Sequence, residues 1–247
     1  MTPGQPKGLT AVNLRVVGIV CGSVLATLMV AAFVTTASGR TTEPQAGRNP
    51  AIGSTADRDA AVWVVRHYGV VTVKTDHGKT AKFVAEEHLP AEPFVVTEIN
   101  LYGQEFDEGE LSFLAQLSSL EKLDLSNTGV TTVAMQYAGA VSSLKALYLR
   151  GNNVSADLLR LLKNAQQYER CSVSGCDGFD DDAITVMAAI MPNLRVLGCT
   201  STDISDAALA PLLTMKSLTS LMTANNDLSA ESIDELTKAL PKCKIKT

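Results

Sequence analysis

Aromatic side chains are scarce in this chain, at 5% of 247 residues with a single Trp. Histidine is scarcer: His67, His77 and His88 are all it has. With no His after residue 88, a Ser-His-Asp or Cys-His site built within the remaining residues is excluded. No nucleophile elbow, phosphate loop or paired-carboxylate motif is present either, so no enzyme and no cofactor are expected. Basic residues are also in deficit. Residues 1–40 hold Lys7, Arg15 and Arg40 and no acid, which leaves 18 basic against 26 acidic residues beyond them, a net charge of about −8. A chain of that sign repels phosphate backbones, so nucleic acid is not the expected partner.

Charge is missing altogether from Val16 to Gly39, and the 20 residues VVGIVCGSVLATLMVAAFVT are mostly apolar. At about 1.5 Å per residue, that run crosses a hydrocarbon layer of roughly 30 Å as a helix. It exceeds the apolar core usual for a cleaved signal, roughly 7–15 residues. The reading is therefore a transmembrane anchor at residues 16–38, with a long signal peptide as the alternative. Residues 1–15 form the N-terminal tail. The weak surplus of Lys7 and Arg15 over the far flank predicts a cytoplasmic N-terminus and an extracytoplasmic remainder, as in a single-pass membrane protein. Gly18, Gly22 and Ala26 share one helix face, a spacing that permits two anchors to dimerise closely.

Residues 39–53 have the Pro, Gly and Thr content of a linker. From Ser54, the sequence STADRDAAVWVVRHYG predicts a short helix capped by Ser54 or Thr55, favoured by Asp57 and Asp59 at its start and ended by Gly69. Val71–Val73 and Ala81–Phe83 flank the turn-forming Asp76-His77-Gly78, which predicts a hairpin. Residues 54–92 are thus assigned as an N-terminal cap made of a helix plus a hairpin.

Residues 93–247 carry a repeat. The pattern L-x-x-L-x-L recurs as Val96-Ile99-Leu101, Leu120-Leu123-Leu125, Leu144-Leu147-Leu149, Tyr168-Cys171-Val173, Leu194-Leu197-Cys199, Leu218-Leu221-Thr223 and Leu240-Cys243-Ile245. The starts lie 24, 24, 24, 26, 24 and 22 residues apart. A fixed period of this size marks a solenoid, whose units bury their apolar faces only by stacking. Two extra residues near Gly178 and Phe179, with Tyr168 in place of the leading Leu, predict a distorted fourth unit.

The extended pattern L-x-x-L-x-L-x-x-[N/T/C]-x-[L/V/I], followed by a second L-x-x-L, resembles the leucine-rich repeat. The copy LKALYLRGNNVSADLLRLL shows it best, through Leu144, Leu147, Leu149, Asn152, Val154, Leu159 and Leu162. The period resembles the ribonuclease-inhibitor-like and cysteine-containing subclasses. The resemblance implies an α/β fold: a curved parallel sheet, short helices on its convex side, and a concave surface that binds protein. It also implies that the ninth residue of each unit, Gln104, Thr128, Asn152, Cys176, Thr202 or Asn226, ties down the backbone where the strand bends away.

Cys171, Cys199 and Cys243 fall on inward strand positions and read as core thiols; a Cys171–Cys199 disulfide is the alternative. Asp180-Asp181-Asp182 stands where a convex helix begins and reads as capping, with calcium as the alternative, although the EF-hand spacing is absent. No metal site is expected, and the three histidines read as solvated or turn residues. The third, fifth and seventh positions of each unit face outward. Among them Tyr102, Lys122, Asp124, Tyr148, Arg150 and Arg170 combine the residue types enriched in binding hot spots. A third row, Lys242, Lys244 and Lys246, reads as a charged edge that resists pairing. The expected function is a membrane-anchored interaction module for a protein or peptide. A structural envelope protein without a specific partner, or a secreted repeat protein, remains the alternative.

Overall fold

The computed structural model describes residues 54–247. The expected tail, anchor, dimerising face, linker and Cys21 fall in residues 1–53 and lie outside the described residues. Among the described residues no helix is long and apolar enough to cross a membrane.

The chain begins with α1 (Thr55–Arg66), whose N-cap Ser54 accepts a hydrogen bond from the Asp57 amide. Asp57 does more than complement the helix dipole. It is buried, and its Oδ1 accepts from the Val96 amide at 2.7 Å, which ties the helix to the first repeat. Strands β1 (Val70–Thr75) and β2 (Thr80–Phe83) follow as an antiparallel pair around the turn at Gly78. Strand β3 (Phe94–Asn100) then lies antiparallel to β1 on its other side. The hairpin thereby occupies an edge of β3 that would otherwise carry unpaired backbone groups.

From β3 onward every pairing is parallel. Strands β4 (Lys122–Asp124), β5 (Ala146–Tyr148), β6 (Arg170–Ser172), β7 (Val196–Gly198), β8 (Ser220–Met222) and β9 (Lys244–Lys246) add in sequence order. Among the described residues, nine strands form one sheet in the order β2-β1-β3-β4-β5-β6-β7-β8-β9. The register aligns Ile99, Leu123, Leu147, Cys171, Leu197, Leu221 and Ile245 in one row. The first six of these are 0–2% exposed, so the row is the inner wall of the core.

The other wall is built from a 3-10 segment (Glu108–Gln116), α2 (Thr132–Ala140), α3 (Ala156–Leu159), α4 (Asp181–Ile190), α5 (Leu209–Thr214) and α6 (Ala230–Ala239). Their buried side chains, including Leu111, Met135, Leu159, Ile184, Leu212 and Leu236, share one apolar cluster with the strand residues. Each unit therefore shields its neighbours and none stands alone.

Two expectations are corrected by the register. The fourth unit is not distorted in its strand: Cys171 pairs opposite Leu147 and Leu197, and Tyr168 is fully buried at the leading position. The two additional residues are absorbed in the following loop, by a left-handed turn at Gly178 (φ 70°) and the buried ring of Phe179. In the last unit the strand is set two residues later than the Leu240-Cys243-Ile245 spacing implies, because Leu221 pairs with Ile245 and not with Cys243. Hence Lys244 and Lys246 continue the outward rows, while Lys242 precedes the strand.

Candidate functional site on the open face of the sheet

The face of the sheet opposite the helices is formed by residues flanking the buried row. Strand geometry sends alternate side chains to opposite faces, so Glu98, Lys122, Ala146, Arg170, Val196 and Ser220 align on one side of that row. Asn100, Asp124, Tyr148, Ser172, Gly198 and Met222 align on the other. Beyond them the chain continues the ladder: the amides of Leu101, Leu125, Leu149, Val173 and Cys199 donate to the next unit at 2.7–2.9 Å.

It then turns. The eighth residue of each unit, Gly103, Asn127, Gly151, Gly175, Ser201 and Asn225, adopts a left-handed conformation with φ between 55° and 68°. Gly and Asn are favoured there because they bear that backbone at least cost. The ninth residue secures the turn. Asn152 Oδ1 accepts from the amides of Thr128, Gly129 and Val130 at 2.8–3.2 Å, and its Nδ2 donates to the Leu125 and Leu149 carbonyls at 2.9 and 2.8 Å. Asn226 makes the corresponding bonds to Thr202, Cys199 and Thr223. Thr128, Thr202 and Cys176 each reach one backbone carbonyl, at 2.7, 2.9 and 3.0 Å. The Gln104 amide reaches only the neighbouring Tyr102 carbonyl.

On this frame the predicted residues converge. Tyr102 is half-exposed, and its hydroxyl accepts from Asn127 Nδ2 at 2.9 Å. The Arg150 guanidinium carbon lies 6.0 Å from the Tyr102 ring centre and 5.9 Å from that of Tyr148. Lys122 Nζ stands 5.4 Å from the Tyr148 ring centre and 3.7 Å from Glu98. Asp124 differs from the others: it is only 5% exposed. Its carboxylate accepts from the Ser126 amide at 2.9 Å and lies 3.4 Å from Arg150, so it sits beneath the guanidinium. The buried Ser126 hydroxyl accepts from the Arg150 backbone amide and Nε at 3.2 and 3.4 Å. Arg170 is exposed one strand further on, separated from Lys122 by Ala146.

Asn127 and Lys74 belong to this surface and Ser126 lies buried beneath it, but none was singled out by residue type. The recurrence of Gly or Asn at the eighth position was the available signal for Asn127. Lys74 reaches the groove only through the antiparallel pairing of β1 with β3, which residue spacing does not encode.

Cys171, Cys176, Cys199 and Cys243 are free and buried. Burial pushes the Cys171 and Cys199 thiols up to about 12 and the Cys176 thiol to about 11. Asp180 caps α4 by accepting from the Ala183 amide at 2.9 Å. Asp181 accepts from the Ser205 amide and hydroxyl at 2.8 and 2.7 Å, a link between units that recurs from Asp206 to the Ser229 amide at 2.8 Å. Hydrogen bonds from Ser232 and Ser229 hold the Asp206 carboxyl below the usual range. Among the described residues no group of three or more His, Cys, Asp or Glu side chains is placed to hold a metal ion. His67 stacks on Trp63 with ring centres 4.1 Å apart.

This geometry defines an α/β fold of leucine-rich-repeat type with a parallel sheet. No family model and no curated protein matches the chain. Among solved structures it is similar to an internalin (InlF) from Listeria monocytogenes, at 25% identity and a TM-score of 0.43, over 59% of this chain and 37% of that one. A leucine-rich-repeat protein of Leptospira interrogans is similar at 22% identity and a TM-score of 0.41, over 61% of this chain and 37% of that one. The C-terminal domain of a Caenorhabditis elegans tropomodulin shows 15% identity and a TM-score of 0.34, over 46% of this chain and 93% of that domain. The chain thus spans little more than a third of the first two proteins.

Proposed function

We propose that this chain is an interaction module that binds a protein or peptide on the open, concave face of its repeats, held to a membrane by residues 16–38 with the repeats outside the cytoplasm. One observation carries the binding reading. Tyr102, Lys122, Tyr148 and Arg150, from three successive units, are linked by three cation–aromatic contacts of 5.4–6.0 Å, Lys122 to Tyr148 and Arg150 to both Tyr102 and Tyr148. Such contacts add roughly 0.5–1 kcal/mol each at exposed sites, too little to explain a patch of this size by folding stability alone. Rigid aromatics beside a fixed guanidinium lose little entropy on binding. The anchor reading rests on the uncharged run from Val16 to Gly39.

Crosslinking mass spectrometry on the full chain in its native membranes tests both. The expected result is saturable crosslinks from β4–β6 to one partner, lost in a Tyr148→Ala/Arg150→Ala variant that still unfolds in a single cooperative transition. Absence of a saturable partner, or retention of the crosslinks in that variant, would favour a structural envelope protein instead. Recovery of the chain in the soluble fraction would remove the anchor.

A further inference from the structure

Ala146 interrupts a row of long side chains. Its two neighbours across the sheet are Lys122 and Arg170, and at about 4.8 Å per strand the backbones that carry the two cations stand about 10 Å apart with a methyl group between them. The result is an open groove of about 550 Å³ with Tyr148 lining it alongside both cations. Of the other charges lining the groove, Lys74 and Glu169 stand outside any ion pair among the described residues, whereas Glu98 and Glu121 are engaged. Glu98 lies 3.7 Å from Lys122, and Glu121 lies 2.7 Å from Lys145. Arg170 has no carboxylate within ion-pair distance among the described residues.

The charge of this surface runs against that of the chain. Beyond residue 40 acids outnumber bases 26 to 18, yet Lys122, Arg150 and Arg170 come from successive units of the open face. One of the acids beside them, Asp124, is buried under Arg150. A guanidinium left without a carboxylate is suited to an incoming planar anion, which it can grip with two parallel N–H donors.

We propose that the groove over Ala146 seats the carboxylate of an Asp or Glu side chain from an extended acidic segment of a protein partner. Arg170 binds the carboxylate, Lys122 faces it from the opposite wall, and the Tyr148 ring packs against its methylene stem. This rests on the open-face reading of the function. A basic side chain seated over Ala146 would stand between Lys122 and Arg170, and a wholly apolar one would strip water from Arg170 with nothing in return.

Random dodecapeptides displayed on phage and selected on the purified full chain provide the test, followed by fluorescence anisotropy with the selected peptides. The selected peptides are expected to share an acidic position whose change to Asn or Gln weakens binding by about tenfold or more. Arg170→Glu, an exposed substitution, should weaken it equally while leaving the thermal melt unchanged, and a peptide carrying Lys at that position should recover binding. Peptides that lose binding with Tyr148→Ala/Arg150→Ala but ignore both the acid and Arg170→Glu would overturn the carboxylate seat alone. Peptides indifferent to all of these variants, or a selection yielding none, would overturn the open-face reading with it.

Discussion

At the scale of single residues, the side chains that matter most for stability are those on which several backbone groups depend. Asn152 serves three amides and two carbonyls, and its bonds to the Val130 amide and to both carbonyls are buried. Each buried group left unsatisfied costs about 1–3 kcal/mol, so Asn152→Leu should lower unfolding free energy in urea by several kcal/mol. Thr223 is the reverse case. It stands where other units have Leu, Val or Cys, is 3% exposed, and its hydroxyl has no partner. Thr223→Val removes that penalty without changing shape and should raise stability by about 1 kcal/mol. The thiols respond to pH. A Cys whose folded pKa is raised stabilises the fold below its unfolded pKa, near 9, and that contribution is lost as pH climbs through the folded value. Stability should therefore fall between pH 9 and about 12 as Cys171 and Cys199 are drawn toward ionisation. A thiol reagent at pH 9 should label them only in denaturant.

Elements in this fold are short, and their positions are set by what lies in the next unit. Among the described residues the strands from β4 on are three residues long, too few to persist without the stacked row behind them. The eighth-position turns show the same dependence. A Cβ on Gly151, already at φ 65°, would stand 1.8 Å from Asn127 Oδ1 in the preceding unit. Gly151→Ala therefore combines a left-handed penalty of roughly 1–2 kcal/mol with a collision. Pairing it with Asn127→Ala should recover only the collision, and a double-mutant cycle in urea measures that part. Full additivity would mean that the two residues do not meet. Helical boundaries were legible at Ser54 and Asp180, where a side chain caps the first turn. The α3 helix was legible as a turn through Leu159 and Leu162, both buried, although it spans only Ala156–Leu159.

For the whole molecule, stability accumulates by stacking. Leu147 touches the core from the middle of the parallel rows and is fully buried. Leu147→Ala should cost about 2–5 kcal/mol by loss of contact and creation of a cavity; a loss well under 1 kcal/mol in denaturant titration would contradict the register. The repeat, its period and the alternation along β3 to β8 were legible in the sequence alone, because a spacing of two fixes which face a side chain takes. That spacing also placed Tyr102, Tyr148 and Arg150 on one face and the cysteines in the core. Three things were decided only by tertiary structure. The last strand slipped by two residues, a shift that keeps every side chain on its face and so leaves no mark in the alternation. The β1–β3 pairing joined the hairpin to the sheet through contacts between residues about 25 positions apart, with a register break that local propensity does not encode. Asp124 was drawn under Arg150, because neighbouring units meet at strand spacing and a carboxylate there finds both an amide and a guanidinium within reach.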